Sequence, residues 1–465
     1  MILITTLAKY QTEFWLPVSK ELQRRGQTVA VLAFDDRSVL MLRTAGIPVQ
    51  QISRLAGVDT GAATRLPQRL RDYDIDNPNL MFSHERITFR ILDGETLART
   101  FMRYSDAVEA ALDRLGAGGE KAVMVQELGG FLSVIASYFA ARHRNIDNWF
   151  IEPSFFRGRL TFRRNSFAAG RIGEVADEVS APLEAYLADT LSKRSIVIPE
   201  KDRHQYRSVF NKVLNLRNAG RIFEKLFDKY VLGMHQDFGH IGTHVLQHME
   251  MVGNALLARP LQQPLPAGRF VYFPFHVPGD MALTLRSPEY LDQFALVDYL
   301  LRVVPPSHRV VVKEHPAQIG ALAAGRLREL ARRYDNLTIL SPQTNNFEVL
   351  SRADAIVSVN SKSGAEALLL GKPVVVLGDA FYSDCPFVLR ADGLNSIAVA
   401  LREALALPPR DPEPIRRYFQ SVYGRSYPGE LYISRPENVA TFVDSLLTAI
   451  SGDSSGGPKE AAPKG

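Results

Sequence analysis

Four short stretches in the second half of the chain gather residue types that can bind and transfer a charged group. They are Phe275-His276-Val277-Pro278-Gly279-Asp280, Lys313-Glu314-His315-Pro316, Asn360-Ser361-Lys362-Ser363-Gly364-Ala365-Glu366, and Gly378-Asp379. Each follows an apolar run. The third has a strand, a small hydroxylic loop, and then a helix reaching Leu370 before Gly371. That order suits phosphate binding, because free N–H groups and the positive end of the helix face the ligand while Ser hydroxyls add donors. The competing reading is that Ser361 or Ser363 caps the helix and does nothing more. His315 can donate a hydrogen bond to a phosphate or carboxylate and Lys313 can supply charge; otherwise His315 is a turn residue stiffened by Pro316. Asp280, after a Pro-Gly turn, can serve as nucleophile or as stabiliser of a cationic sugar centre, or simply cap a helix.

In the first half, Glu127 and Glu152 each end an apolar run, and a carboxylate there can deprotonate an acceptor hydroxyl. One of the two is expected to be structural. Arg157, Arg159, Arg163 and Arg164 follow Glu152. They read as a solvated loop, with an anion site as the alternative.

These groups need a scaffold that lines up strand ends. Apolar runs at 270–277, 309–315, 336–341, 354–360 and 373–379 alternate with helical segments. The middle three are near-continuous, as strands buried on both faces are. In an open parallel sheet ligands bind beyond the carboxyl ends of the strands, which is where the four stretches fall. The start of the chain repeats the alternation. Runs at 1–7 and 28–34 flank a loop carrying Lys9, Tyr10 and Gln11 and a helix closed by Gly26, and strands follow at 122–128 and 148–155. Residues 52–92 are less regular. The pattern predicts an α/β chain of two doubly wound domains, 1–164 and 266–450, facing a cleft and separated by a helical insertion at 165–265. The Gly/Ser/Pro-rich composition of 451–465 predicts disorder. Between Leu191 and Tyr230 ten Lys or Arg stand against four Asp or Glu. A solvated helical face is expected there, with a membrane or polymer contact as the alternative.

Composition supports this plan. A chain of 465 residues that is 46% hydrophobic and 23% charged can bury two substantial cores. A single cysteine, Cys385, rules out an internal disulfide and any Cys-based zinc site. The first residues lack a basic leader and no run of about 18 apolar residues occurs, so a cytoplasmic protein is expected, peripheral to a membrane at most. The motifs of metal proteases, P-loop enzymes and dinucleotide-dependent oxidoreductases are missing, as is DxD; no metal and no cofactor are expected.

The second-domain motifs resemble those of the bacterial capsule polysaccharide biosynthesis family, whose characterised members include retaining β-Kdo transferases using CMP-Kdo. The matching residues are 274–280, 312–316 and the run 358–378. Looser matches are Gln126-Glu127-Leu128-Gly129-Gly130 and Ile151-Glu152-Pro153. The chain departs at His276, where members usually carry Gln, and in 165–265, for which no counterpart aligns. The resemblance implies a GT-B fold of two Rossmann-like domains, an N-terminal acceptor domain and a C-terminal donor domain. It implies that His315, Pro316 and the 361–363 loop bind the CMP part, with His276, Asn360, Gly364 and Glu366 around the donor. It further implies Lys313 near the donor phosphate or the Kdo carboxylate, and Asp280 as the group attacking the anomeric carbon. The partners would be a nucleotide-sugar donor and a surface polysaccharide or glycolipid acceptor such as a lipopolysaccharide or O-antigen, and no nucleic acid. Two other readings stay open: the same fold using a UDP- or GDP-sugar, as transferase or epimerase, and a non-catalytic subunit of a polysaccharide assembly complex.

Overall fold

The computed structural model describes residues 1–55, 62–118, 122–193, 216–408 and 410–452. The expectation for the tail from 453, and much of the basic stretch, lies outside the described residues. Six strands open the chain: β1 (Ile2–Thr6), β2 (Val29–Ala33), β3 (Val49–Gln51), β4 (Val123–Glu127), β5 (Asp147–Pro153) and β6 (Arg159–Arg164). Six more follow: β7 (Phe270–Pro274), β8 (Arg309–Lys313), β9 (Leu337–Leu340), β10 (Ala355–Ser358), β11 (Val374–Val376) and β12 (Leu389–Arg390). A short β13 (Tyr427–Pro428) closes the series.

The strands form two sheets, ordered β13-β6-β5-β4-β1-β2-β3 and β12-β11-β10-β7-β8-β9. The second is parallel throughout, and so are β5 to β3 of the first. In both, the first strand of the domain sits beside its fourth, so the strand order reverses at β1/β4 and at β7/β10. Such a reversal opens a crevice at the carboxyl ends of the strands. The central strands are wholly buried, because helices cover both faces and leave apolar side chains nowhere else to point. Each sheet carries one core on each face.

Several boundaries differ from those expected. Lys9, Tyr10 and Gln11 form the first turn of the helix Lys9–Arg24 rather than a loop. The described residues within 52–92 hold three helices, Ile52–Leu55, Ala62–Asp72 and Pro78–Thr88; Pro67 inside one and Pro78 at the start of another obscure their period. Arg159–Arg164 is a strand paired antiparallel with β5, not a solvated loop.

Residues 165–265 are not a self-contained insertion. The helix Ala181–Lys193 places Leu183 and Leu187 in the second domain's core, while the helix Leu216–Tyr230 ties Asp228 to Arg37 of the first. The second domain ends near the helix Pro412–Gly424 rather than at 450. From there β13 joins the first sheet beside β6, and the helix Pro436–Gly452 seats Phe442 against Phe14 and Trp15 of the Lys9–Arg24 helix. An apolar helix docks wherever an uncovered sheet face remains, and periodicity alone does not say which sheet that is.

Candidate active site

The carboxyl ends of β10, β7 and β8 are neighbours in the sheet, and their loops meet. The backbone N–H of Asn360, after β10, points to Nε2 of His276, after β7, at 3.5 Å. The His276 backbone is locked by Gln293, whose Oε1 accepts its N–H at 2.7 Å. After β8, Pro316 begins a short 3-10 turn, where its missing N–H costs nothing. Nδ1 of His315 accepts the Ala317 N–H at 3.3 Å. With that nitrogen an acceptor, the neutral ring carries its proton on Nε2, which makes it a donor toward an anion. Glu314 turns away and accepts from the N–H groups of Gly320 and Leu322; it shapes the loop.

Asp280 caps the one-turn helix Met281–Thr284, its Oδ1 accepting from the Ala282 N–H at 2.9 Å. The capping reading is therefore correct as far as it goes. The same carboxylate, exposed at the cleft, faces three imidazoles: His276 and, from the first domain, His84, both buried, and His315, half-buried. Burial pushes all three histidines down to about 4, against the pull of the Asp280 charge. They are neutral at pH 7, so they work as hydrogen-bond donors or acceptors rather than as cations.

Under the 361–363 loop lies a closed polar network. Ser361 caps the helix Lys362–Leu369 by accepting from the Ser363 N–H at 3.2 Å. The Asn346 side-chain amide donates to Ser363 Oγ at 3.1 Å and to Glu366 at 2.8 Å, and Tyr272 donates its hydroxyl to Asn346. Lys313 is only 4% exposed and faces Glu366 within this layer. Burial lowers Lys313 to about 8 and raises Glu366 to about 7, each partly offset by the other's charge. Glu366 thus braces the loop from beneath through Asn346, with Lys313 as its buried counter-charge. Gly364 is required here: a Cβ would come 2.2 Å from the Tyr382 hydroxyl, which donates to the Ser361 carbonyl at 2.6 Å.

The first domain meets this edge through several joints. Lys362 Nζ donates to the Ser154 carbonyl at 3.0 Å. Glu152 receives both terminal nitrogens of Arg286, at 2.9 and 3.0 Å. Burial opposes ionisation of Glu152, but Arg286, with Arg163 and Lys362, outweighs it and holds the carboxyl below its usual range. Glu152 is therefore an interdomain strut, poorly suited to taking a proton. Glu127, at the β1/β4 switch point, accepts from the Tyr432 hydroxyl and, at 3.2 Å, from the Gln11 amide. Of the four arginines, Arg159 bonds Ser426 with its guanidinium 4.1 Å from the Tyr423 ring centroid, Arg164 pairs with Asp147, Arg163 lies near Glu152, and Arg157 is exposed. They do not form one anion site.

Sequence reasoning missed His84 and Arg286. His84 Nδ1 lies 2.9 Å from Thr284 Oγ1, across the domain boundary, and its Nε2 is buried without a hydrogen-bond partner. Its ring fits because residue 130 is glycine: a Cβ there would stand 2.6 Å from it. The Gly129-Gly130 pair was the available signal. Among the described residues no group of three or more His, Cys, Asp or Glu is placed to hold a metal ion.

Two doubly wound α/β domains whose strand ends share a cleft define a GT-B protein. The chain belongs to the family of capsule polysaccharide biosynthesis proteins, whose family model matches residues 135–386, more than half its length. Protein FixF of Sinorhizobium fredii (strain NBRC 101917 / NGR234) is 36% identical over 134 residues, which span 28% of this chain and 32% of that protein; the match thus covers about a third of that relative. Among solved structures, the chain is similar to the β-Kdo 2,7 transferase of Thermosulfurimonas dismutans KpsC, at 15% identity over 79% of this chain and 95% of that one, with a TM-score of 0.35. A putative UDP-N-acetylglucosamine 2-epimerase from Listeria monocytogenes aligns at 11% identity over 98% and 96% of the two chains, with a TM-score of 0.30.

Proposed function

We propose that this protein is a glycosyltransferase that moves Kdo from CMP-Kdo to a surface polysaccharide or glycolipid acceptor with net retention. The observation that carries the reading is the setting of Asp280. One oxygen is anchored by the Ala282 N–H, and the carboxylate faces neutral His84, His276 and His315 from both sides of the cleft. An anchored carboxylate among uncharged donors stays nucleophilic without being neutralised by a cation.

In the first step the Asp280 carboxylate attacks the anomeric carbon of Kdo, and the bond to CMP breaks with its electrons going to the phosphate oxygen. The anomeric carbon bears a carboxylate and no hydroxyl on its C3 neighbour, so an oxocarbenium-like state forms readily. His315 Nε2–H, the serine hydroxyls and the N-terminus of the helix Lys362–Leu369 stabilise the departing monophosphate. In the second step an acceptor hydroxyl displaces Asp280, giving up its proton to Glu127. Two inversions leave the configuration unchanged.

A thermal-shift panel of CMP, UDP and GDP tests the donor assignment, since only a bound ligand raises apparent stability. CMP should raise the melting temperature in proportion to the logarithm of its concentration. A response confined to UDP or GDP would replace the CMP reading with the epimerase or UDP/GDP-transferase one.

A further inference from the structure

The helices Leu216–Tyr230 and Ile241–Ala258 are turned inside out. A surface helix ordinarily buries its apolar stripe and shows its charges to water. Here Glu224 and Asp228 reach back to Lys9 and Arg37 of the first domain, at 2.6 and 2.5 Å. Phe223, Phe227 and Tyr230, spaced as one helical face, stand outward at 70%, 42% and 72% exposure. The next helix repeats the arrangement. Gln247 and Asn254 donate to the carbonyls of Thr88 and Gly320, and Glu250 pairs with Arg90, while Leu246, Met249 and Leu257 are exposed. Of 17 large apolar side chains exposed among the described residues, 11 lie between Phe223 and Leu257. Scattered exposed apolar residues are normal; such a concentration marks a contact surface.

The charge of the sequence that leads into and through the first helix selects the contact. Leu191 to Tyr230 carries ten basic residues against four acidic ones, and two of the four, Glu224 and Asp228, are taken up by Lys9 and Arg37. A second copy of the chain on a twofold axis would bring like charge against like. An anionic lipid surface accepts both the aromatic stripe and a sequence with a surplus of basic residues. No helix among the described residues is long and apolar enough to cross a membrane, which leaves docking in the headgroup plane.

We propose that these two helices dock the protein on an anionic bilayer, with Phe223, Phe227, Tyr230 and Met249 entering the interface. The inference does not depend on the identity of the donor. Flotation of the full chain with vesicles of phosphatidylglycerol and phosphatidylcholine, against phosphatidylcholine alone, tests it. The protein should float with the anionic vesicles, and less so in about 1 M salt. Phe223→Ser with Phe227→Ser should lower the bound fraction at least about tenfold while the melting temperature and the CMP response stay unchanged. Three outcomes overturn the proposal: wild-type protein that stays unbound, a double variant that floats like wild type, or a stable dimer that the double variant splits while neither protein binds vesicles.

Discussion

Asp280 caps a helix and is proposed to attack the donor sugar, and substitution can separate the two. Asparagine keeps an oxygen for the Ala282 N–H and is as good a helix cap as aspartate, yet it cannot attack carbon. Asp280→Asn should therefore fold with an unchanged melting temperature and lose transfer by about 10³-fold or more, measured as Kdo incorporated into acceptor. Loss of folding together with activity would make the residue merely structural. Glu85, next to His84, gives a second test. It accepts the Leu132 N–H at 3.0 Å, and burial, reinforced by Asp237, raises it to about 8 from an ordinary 4.5. The folded protein thus keeps a proton that the unfolded chain has lost, so this stabilisation is complete below pH 4.5 and disappears as pH rises through 8. His84, His276 and His315 act in the opposite sense, but only below about 6.5, and Lys313 only above about 8. Between pH 6.5 and 8 the melting temperature should fall, and Glu85→Gln should flatten that fall; an unaltered slope would remove Glu85 from the account. His276, His315 and Asp280 were legible because a strand end announces itself in sequence. His84 was not, since it sits on a helix in an irregular stretch and acquires meaning only across the cleft, from Thr284.

At the level of elements, the strand–loop–helix unit at 355–369 was readable from an apolar run, small hydroxylic residues and a terminating glycine. The layer beneath it was not. Asn346, Tyr272 and Tyr382 come from three other elements, and no local spacing links them to Ser361 or Glu366. That layer makes Gly364 demanding. The Tyr382 hydroxyl is fixed by the Ser361 carbonyl and by Ser358 Oγ, 3.1 Å away, so it cannot swing aside for a methyl group. Gly364→Ala should cost about 2 kcal/mol in denaturant unfolding, through lost hydrogen bonds and overpacking. It should also weaken the CMP-induced thermal shift; full stability and full CMP response would show that the loop tolerates the crowding. The inverted helices were half legible: the surplus of basic residues was plain, but which face meets solvent depends on Arg37, Arg90 and Gly320, far away in sequence.

For the molecule as a whole, two doubly wound domains were legible from alternation, whereas the joints between them were not. Arg286 is the main joint. Its guanidinium, nearly buried, holds Glu152 of the other domain through two hydrogen bonds. Arg286→Met should destabilise by about 3 kcal/mol, because a largely desolvated carboxylate is left uncompensated, and adding Glu152→Gln should restore part of the loss in a double-mutant cycle. If the two changes were additive, the pair would not be a strut. The return of β13 and the helix Pro436–Gly452 to the first domain ties the ends of the chain together and brings Tyr432 to Glu127, so the proposed proton acceptor is assembled from both ends of the sequence.

The proposed chemistry passes through a bond between Asp280 and the donor sugar. Intact-protein mass spectrometry after brief incubation with CMP-Kdo and no acceptor, followed by peptide mapping, reads that bond directly. The account predicts a mass increase of one Kdo residue on the peptide containing Asp280, discharged on addition of acceptor and absent in Asp280→Asn. Turnover of CMP-Kdo to product of retained configuration, with Asp280→Asn fully active and no adduct at any time, would contradict it.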